Sequence, residues 1–135
     1  PFGLGAVDSG QTVLDVGCGA GVDTILAAMK VGSRGRALGV DMVPAMLERA
    51  RQNLGQTTLG NVGFQEASAE ALPFTDGCVD VVISNGVFNL VPDKPRALAE
   101  ALRVLKPGGR LLLADQVLTG SASEDPQARI ASWSR

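Results

Sequence analysis

The 135-residue sequence contains no histidine and no tyrosine, and it has only two cysteines and one tryptophan. Without histidine and tyrosine, the commonest general base and the phenolic acid of enzyme sites are missing, so catalysis must depend on carboxylates, on the backbone or on positioning. Cys18 and Cys78 are too few and too far apart for a disulfide scaffold, and no histidine accompanies them as a metal ligand. We therefore expect no metal site and a reaction that needs no strong base.

Long hydrophobic runs and blocks of like charge are also absent. No apolar stretch reaches the roughly 18 residues of a transmembrane helix, and the N-terminus lacks the basic and apolar regions of a signal peptide. The 12 basic and 14 acidic residues give a formal net charge of −2, without the basic patch that nucleic-acid binding requires. These absences predict a cytoplasmic protein with neither a membrane nor a nucleic-acid partner.

Hydrophobic residues make up 45% of the chain, which is enough apolar material for one compact domain with one core. We therefore interpret residues 1–135 as a single domain. Because the sequence begins with Pro1 and not with methionine, we expect a fragment, a processed product or a partial reading frame.

Short apolar runs alternate with helical patterns along the chain. Buried strands are predicted at Thr12–Val16, 36–40 (ending in Asp41), Val62–Glu66, 79–84 and 110–115. Helices are predicted at Val22–Val31, Pro44–Leu54 and 93–105, with another beginning in 124–135. Residues 68–77 are too broken by proline and glycine for a full helix, and 106–109 form a turn. The residues at helical spacing, expected to form the apolar faces, are Ile25, Leu26, Ala28 and Met29, then Met46, Leu47, Ala50 and Leu54, then Leu98, Leu102 and Leu105.

This alternation predicts an α/β fold, a doubly wound, Rossmann-like parallel sheet with helices on both faces. Ligands of such sheets bind at the carboxyl ends of the strands, where the strand order reverses. We expect the chemistry of this chain at that edge.

A glycine loop follows the first predicted strand. Gly17 and Gly19 allow a sharp turn and a close approach of backbone to a ligand, and the next helix points its amides at whatever is bound. A tight strand-to-helix turn without a ligand is the alternative. A dinucleotide fingerprint requires GxGxxG, but the third glycine is Gly21 and position 22 is valine. Asp15 would repel a pyrophosphate, whereas it can accept hydrogen bonds from an ammonium group or position the loop.

Asp41 ends the second predicted strand. A carboxylate at that position can accept hydrogen bonds from both ribose hydroxyls of an adenosine cofactor. Its alternative role is to lie near the positive N-terminus of the following helix.

With these residues in view, the chain resembles the class I S-adenosylmethionine-dependent methyltransferases, especially the branch with ubiquinone/menaquinone-biosynthesis-type and arsenite methyltransferases. Five blocks in the same order carry the resemblance: VLDVGCGAG at 13–21, GVDMVPAMLERAR at 39–51, SAEALPF at 68–74, VDVVISNGVFNLVPDK at 79–94 and RVLKPGGRLLLAD at 103–115. The resemblance implies strand order 3-2-1-4-5, truncated before the C-terminal antiparallel strands, and S-adenosyl-L-methionine as the cofactor.

The resemblance also implies which residues contact the cofactor. Asp15, Gly17 and Gly19 would face its methionine part, with Cys18 contributing at most its backbone. Asp41 would bind the ribose, and Met42 one face of the adenine. Ser68, Ala69 and Glu70 would line the adenine edge, while Ser84 and Asn85 would lie near the transferring methyl group. No residue is assigned a catalytic role.

Two departures from the family pattern bear on affinity and acceptor. Position 68 is often aspartate in this family, so Ser68 is a weaker partner for the adenine amine. Arsenite methyltransferases carry a reactive cysteine two residues after the serine of the fourth-strand block, where this chain has Gly86. Because thiolate chemistry needs that sulfur, we expect a small-molecule acceptor other than arsenite. Cys18 and Cys78 are interpreted as small buried residues.

Two further functions stay open beside methyl transfer. One is a binding or interaction module that keeps the cofactor-binding fold but does not catalyse a reaction. It stays open because we expect residues 1–135 alone to form an incomplete acceptor pocket. The other is an NAD-dependent oxidoreductase, which the spacing of the glycines disfavours. Asn89 and Asp93 are candidates to face a substrate, although loop polarity alone explains them equally well. The edge of the fifth strand is expected to allow homo-oligomer formation.

Overall fold

The computed structural model describes residues 7–86 and 90–114. Their elements follow in the order β1 (Thr12–Val16), α1 (Val22–Val31), β2 (Arg36–Asp41), α2 (Pro44–Leu54), β3 (Val62–Glu66), β4 (Val79–Asn85), α3 (Lys94–Val104) and β5 (Leu105–Ala114). Within this part of the chain, no helix is long and apolar enough to cross a membrane.

The five strands form one parallel sheet in the order β3-β2-β1-β4-β5. β1 lies at the centre, where Val16 is opposite Val40 on one side and Ser84 on the other. The strand order reverses between β1 and β4, so the carboxyl end of β1 is the point at which such folds bind ligands. The predicted α/β class and strand order are confirmed.

The core lies on both faces of this sheet. Leu14 and Val16 of β1 belong to a cluster that α3 covers, whereas Val13 belongs to a second cluster that α1 covers. Side chains alternate between the two faces because successive residues of a strand point in opposite directions. The predicted doubly wound arrangement is therefore present.

The bounds of β1, α1, α2 and β3 agree with the sequence prediction, while β2 and β4 each extend to the polar residue that follows the apolar run. β5 differs more, because it begins at Leu105 and includes residues 106–109, predicted as a turn. Val79 is opposite Leu105 but Val81 is opposite Arg110. The extra residues form a bulge in which Gly108 has a φ of 82°. The glycine therefore adopts a turn-like conformation, but the chain does not leave the strand. Predictions for residues 115–135 lie outside the described residues.

Two of the three predicted helix faces are partly wrong. In α1 the side chains of Leu26 and Met29 are 37% and 62% exposed, and in α3 Leu102 is 56% exposed. Small residues point to the sheet instead: the predicted Ala28 is buried, and so are Ala27, Ala97 and Ala101, which were not predicted. Alanine lets the helix approach the sheet closely, which a leucine stripe would prevent. The face of α2 is as predicted, with Leu47 and Ala50 buried.

Candidate functional site

The residues predicted to bind a ligand follow or end neighbouring strands. The glycine loop follows β1, Asp41 ends β2, and Ser84 and Asn85 end β4. Residues 68–70 follow β3, and the Ala67 amide donates to the Asp41 carbonyl at 3.1 Å. Since the strands are parallel, all of these positions lie along the carboxyl edge of the sheet.

The glycine loop turns back over β2. The amides of Gly17 and Cys18 both donate to the Val40 carbonyl, at 2.8 and 2.9 Å. Gly17 and Gly19 have φ angles of 74° and 54°. Residues other than glycine seldom adopt such positive φ angles. A Cβ added at Gly19 would have no atom within 4 Å, so this glycine borders open space that a ligand can enter.

Gly21 has a different role. A Cβ there would lie 2.7 Å from Phe64 Cζ and 2.9 Å from Ala50 Cβ, so its absence lets the start of α1 pack against β3 and α2. The Asn53 amide on α2 also donates to the Ala20 carbonyl at 2.9 Å. The far side of the loop is therefore held by protein, while the side at Gly19 is open.

Asp15 is buried, with 2% of its surface exposed, and its Oδ2 accepts a hydrogen bond from Thr24 Oγ1 at 2.8 Å. Burial raises the pKa of Asp15 to about 7, with the Thr24 bond opposing and the charges of Asp23 and Asp41 adding to the rise. The contact joins β1 to the first turn of α1. Of the two roles considered for Asp15, positioning the loop and helix is supported directly by this bond.

The Cys18 thiol is buried and packed against β2. Its Cβ and Sγ lie 2.9 Å from the point that a Cβ on Gly39 would occupy. Burial, with the charges of Asp15 and Asp41, raises the pKa of Cys18 to about 12, so the thiolate is not formed near neutral pH. Cys78 is half-buried against the core. The interpretation of Cys18 as a small buried residue is confirmed. For Cys78 it is confirmed in part, because that residue is only half-buried.

The Asp41 carboxylate joins two loops. Oδ2 accepts from the Gly19 amide and Oδ1 from the Val43 amide, each at 2.9 Å. Each carboxylate oxygen has a second lone pair, so both remain able to accept ligand hydroxyls. The adjacent Met42 side chain is 63% exposed and offers an apolar surface beside that carboxylate.

Residues 68–70 form a compact turn after β3. Ser68 Oγ accepts from the Glu70 amide at 3.0 Å, and Ala69 is buried at 6% exposure. The Glu70 carboxylate accepts from the Asp93 amide at 3.4 Å. Ala69 therefore offers a ligand little beyond its backbone, and Glu70 is directed to the start of α3.

Ser84 and Asn85 end β4 in different environments. Ser84 is 1% exposed, and within the described part of the chain its Oγ has no hydrogen-bond partner. A buried hydroxyl without a partner costs free energy and calls for an explanation, and a bound ligand would supply one. Asn85 is exposed, and the following Gly86 has a φ of 83°.

The loop residues Asn89 and Asp93 were equally compatible with a substrate role and a solvated loop. Asn89 lies outside the described residues. Asp93 caps α3, its Oδ1 accepting from the Arg96 amide at 3.1 Å, so its local role is that of a helix N-cap residue.

The sequence analysis did not identify Thr24 or Asn53. Thr24 bonds to Asp15, just before the glycine loop, and Asn53 bonds to Ala20 within it. A threonine in the first turn of one helix and an asparagine in the last turn of another are ordinary residues, and only their partners, Asp15 and Ala20, distinguish them. Those pairings depend on how the helices pack.

Comparison with known proteins adds independent evidence. A family model described as a methyltransferase domain matches residues 7–135. The chain is 45% identical over 127 residues to an arsenite methyltransferase of Halobacterium salinarum, which covers 94% of this chain and 32% of that protein. It is 46% identical over 109 residues to a ubiquinone/menaquinone biosynthesis C-methyltransferase of a Marinomonas species, covering 79% and 43%.

Among solved structures, an arsenic(III) S-adenosylmethionine methyltransferase from Chlamydomonas reinhardtii is similar, with a TM-score of 0.75 and 38% identity over 99% of this chain and 48% of that one. This chain therefore spans about a third to a half of the length of these three relatives.

Proposed function

Because this chain belongs to the class I S-adenosylmethionine-dependent methyltransferases, we propose that it binds S-adenosylmethionine and transfers the methyl group to a small-molecule acceptor. The observation that carries the proposal is the open side of the glycine loop. Gly19 leaves space where a Cβ would lie, and its amide is held by the Asp41 carboxylate. This space lies beside the Asp41 carboxylate at the carboxyl edge of the parallel sheet, where folds of this class bind their ligands.

The residues present fit the cofactor at three points. Asp41 has free lone pairs for the ribose hydroxyls, Met42 offers an exposed apolar side chain to the adenine, and Ser84 has a buried hydroxyl without a partner among the described residues. The remaining proposed contacts are those of the glycine loop, residues 68–70 and Asn85. Asp15 acts by holding α1 through Thr24, and Cys18 through its backbone.

Bound S-adenosylmethionine supplies an activated methyl group, so the protein's part is to align the acceptor, exclude water and stabilise the reactive geometry. This division of labour is compatible with a chain without histidine and tyrosine. The Ser84 hydroxyl is suited to orienting a neighbouring polar group, because a neutral hydroxyl can both donate and accept.

For the acceptor we propose a small molecule with a nucleophilic carbon, nitrogen or sulfur atom. Arsenite is disfavoured in spite of the relatives that act on it, because position 86 is glycine, and Cys18 is a buried thiol with a raised pKa. An alkyl hydroxyl is disfavoured too, since it would need a general base. We place this activity in the cytoplasm.

The alternative is cofactor binding without turnover. It stays open because the contacts proposed above are all to the cofactor, and no described residue is assigned to the acceptor.

The proposal is tested by incubating the chain with S-adenosylmethionine carrying a labelled methyl group and a panel of acceptors that includes arsenite. We expect label transfer to a non-arsenite acceptor together with release of S-adenosylhomocysteine. Binding without transfer to any acceptor would favour the alternative, and transfer to arsenite alone would contradict the proposed acceptor class.

A further inference from the structure

One polar face of α3 is bonded to residues 68–76, and neither the proposed cofactor contacts nor the proposed chemistry accounts for these bonds. Arg96, Glu100 and Arg103 occur at spacings of four and three residues, which places them on the same side of a helix. We call these three side chains the α3 clamp.

Arg103 makes the largest set of contacts. Its Nη1 donates to the Phe74 carbonyl and to Asp76 Oδ1, both at 2.8 Å, and its Nη2 to the Leu72 carbonyl at 3.0 Å. Its Nε donates to Glu100 Oε2 at 2.6 Å. Glu100 in turn accepts from the Leu72 amide through Oε1 at 2.8 Å. The two side chains therefore fix both polar groups of the Leu72 backbone.

The charges of the clamp support each other. The Arg103 guanidinium holds the pKa of Glu100 below its usual range, and Glu100 with Asp76 raises the pKa of Arg103. The Asp76 side chain is 83% exposed, whereas that of Glu100 is 18% exposed. Solvent screens the Asp76 pair, so the bonds to Glu100 and to the two carbonyls are the ones that hold the segment.

At the other end of the segment, Arg96 Nε donates to the Glu70 carbonyl at 2.8 Å. Between Glu70 and Leu72 the chain has little freedom, because Leu72 is 5% exposed and belongs to the core. The clamp therefore grips the backbone directly beside the turn of residues 68–70.

We propose that the α3 clamp positions residues 68–70 against the adenine and so sets the selectivity of the site for that base. The inference rests on the proposed function, in which this turn contacts the adenine edge. The clamp touches no reacting atom; it acts by fixing the backbone of the turn. Arginine suits this role because its planar fork reaches several acceptors at once, which a lysine ammonium on one flexible stem cannot do.

The test measures affinity for S-adenosylhomocysteine and for S-inosylhomocysteine, which differ in the group at the adenine edge. The variants are Arg96→Met, Arg103→Met and Arg103→Lys, with Arg49→Met on the exposed side of α2 as the matched control. Methionine keeps an unbranched stem and helix propensity. Amide exchange at Leu72 and across the sheet reports whether the clamp alone has been released.

We expect the two clamp methionine variants to bind S-adenosylhomocysteine about tenfold more weakly, with a smaller loss for S-inosylhomocysteine, so that the preference for adenine shrinks. Arg103→Lys should recover part of that preference, and Arg49→Met should retain it. Equal losses for the two ligands, or an unchanged preference, would overturn the inference while leaving the proposed function in place. Failure of the parent chain to bind either ligand would reject the proposed function itself.

Discussion

At the scale of single residues, the glycine loop combines one open position with one packed thiol. Gly19 has a φ of 54° and open space beside it, whereas Cys18 packs against Gly39. We expect Gly19→Val to abolish cofactor binding, because a β-branched side chain is strained at that φ and fills the ligand's space. Cys18→Ala should bind nearly as well as the parent in calorimetry. Complete loss of binding in Cys18→Ala would mean that the thiol itself is used.

Asp41 has a ligand role and a local role. The Asp41→Ala variant should weaken cofactor binding by about 1.5 to 3 kcal/mol, the range for hydrogen bonds to a charged group. The domain should remain folded, since the lost contacts are to the amides of Gly19 and Val43 at a half-exposed site. The cofactor affinity of Asp41→Asn, which keeps one acceptor oxygen, should lie between the affinities of the parent and the alanine variant. Equal affinity in the alanine variant and the parent would remove Asp41 from the site.

The raised pKa of Asp15 predicts that the stability of the domain depends on pH. Its pKa is raised from 3.8 to about 7, so the folded state binds this proton more tightly than the unfolded state does. The resulting stabilisation is complete below about pH 4 and is lost as the pH rises to about 7, on the order of 1 kcal/mol for each pH unit.

Asp15→Asn cannot ionise and can still accept the Thr24 hydroxyl bond. We therefore expect the parent to lose stability relative to this variant as the pH rises from 4 to 7. Above about pH 7 the difference between their free energies of unfolding should stay constant. Urea denaturation at several pH values measures it. A difference that is constant over this range would show that Asp15 titrates normally.

At the scale of elements, Asn61 joins the end of α1 to the start of β3. Its Nδ2 donates to the carbonyls of Ala28, Gly32 and Gly35 at 2.9 to 3.3 Å. Carbonyls at a helix C-terminus lack intrahelical partners. We expect Asn61→Ala to lower the free energy of unfolding by about 1 to 3 kcal/mol. Cofactor affinity should be unchanged, because Asn61 lies at the amino edge of the sheet. Unaltered urea stability would contradict this account.

The sequence predicts the elements well and their long-range contacts poorly. Apolar runs bounded by glycine and proline locate β1, β3, α1 and α2, because those signals are local. The outward positions of Leu26 and Leu102 were missed, since hydrophobic spacing does not reveal that alanines form the close contact with the sheet.

The positions of the loop glycines and Asp41 at the carboxyl edge could be predicted, because these residues occur at fixed places after strands. Arg103 could not be identified in the same way. Its partners Leu72 and Phe74 are about thirty residues away in sequence, and only packing of α3 brings them within reach.

At the scale of the whole molecule, β5 is one of the two edge strands of the sheet that the described residues form. Among the described strands it pairs only with β4, and Leu111, Leu112 and Leu113 are half-buried. An edge of this kind offers unpaired backbone groups to another strand. We expect self-association through β5, seen as a concentration-dependent rise in sedimentation coefficient. A strictly monomeric species at high concentration, with slow amide exchange in β5, would show that the edge is already covered.

The most direct test of the account is calorimetric titration of the purified chain with S-adenosylmethionine, S-adenosylhomocysteine and NAD under identical conditions. We predict saturable binding of both S-adenosyl ligands at one site per chain and no binding of NAD, because position 22 is valine where the dinucleotide fingerprint requires glycine. Binding of NAD without binding of either S-adenosyl ligand would contradict the assignment of the carboxyl edge as an S-adenosylmethionine site.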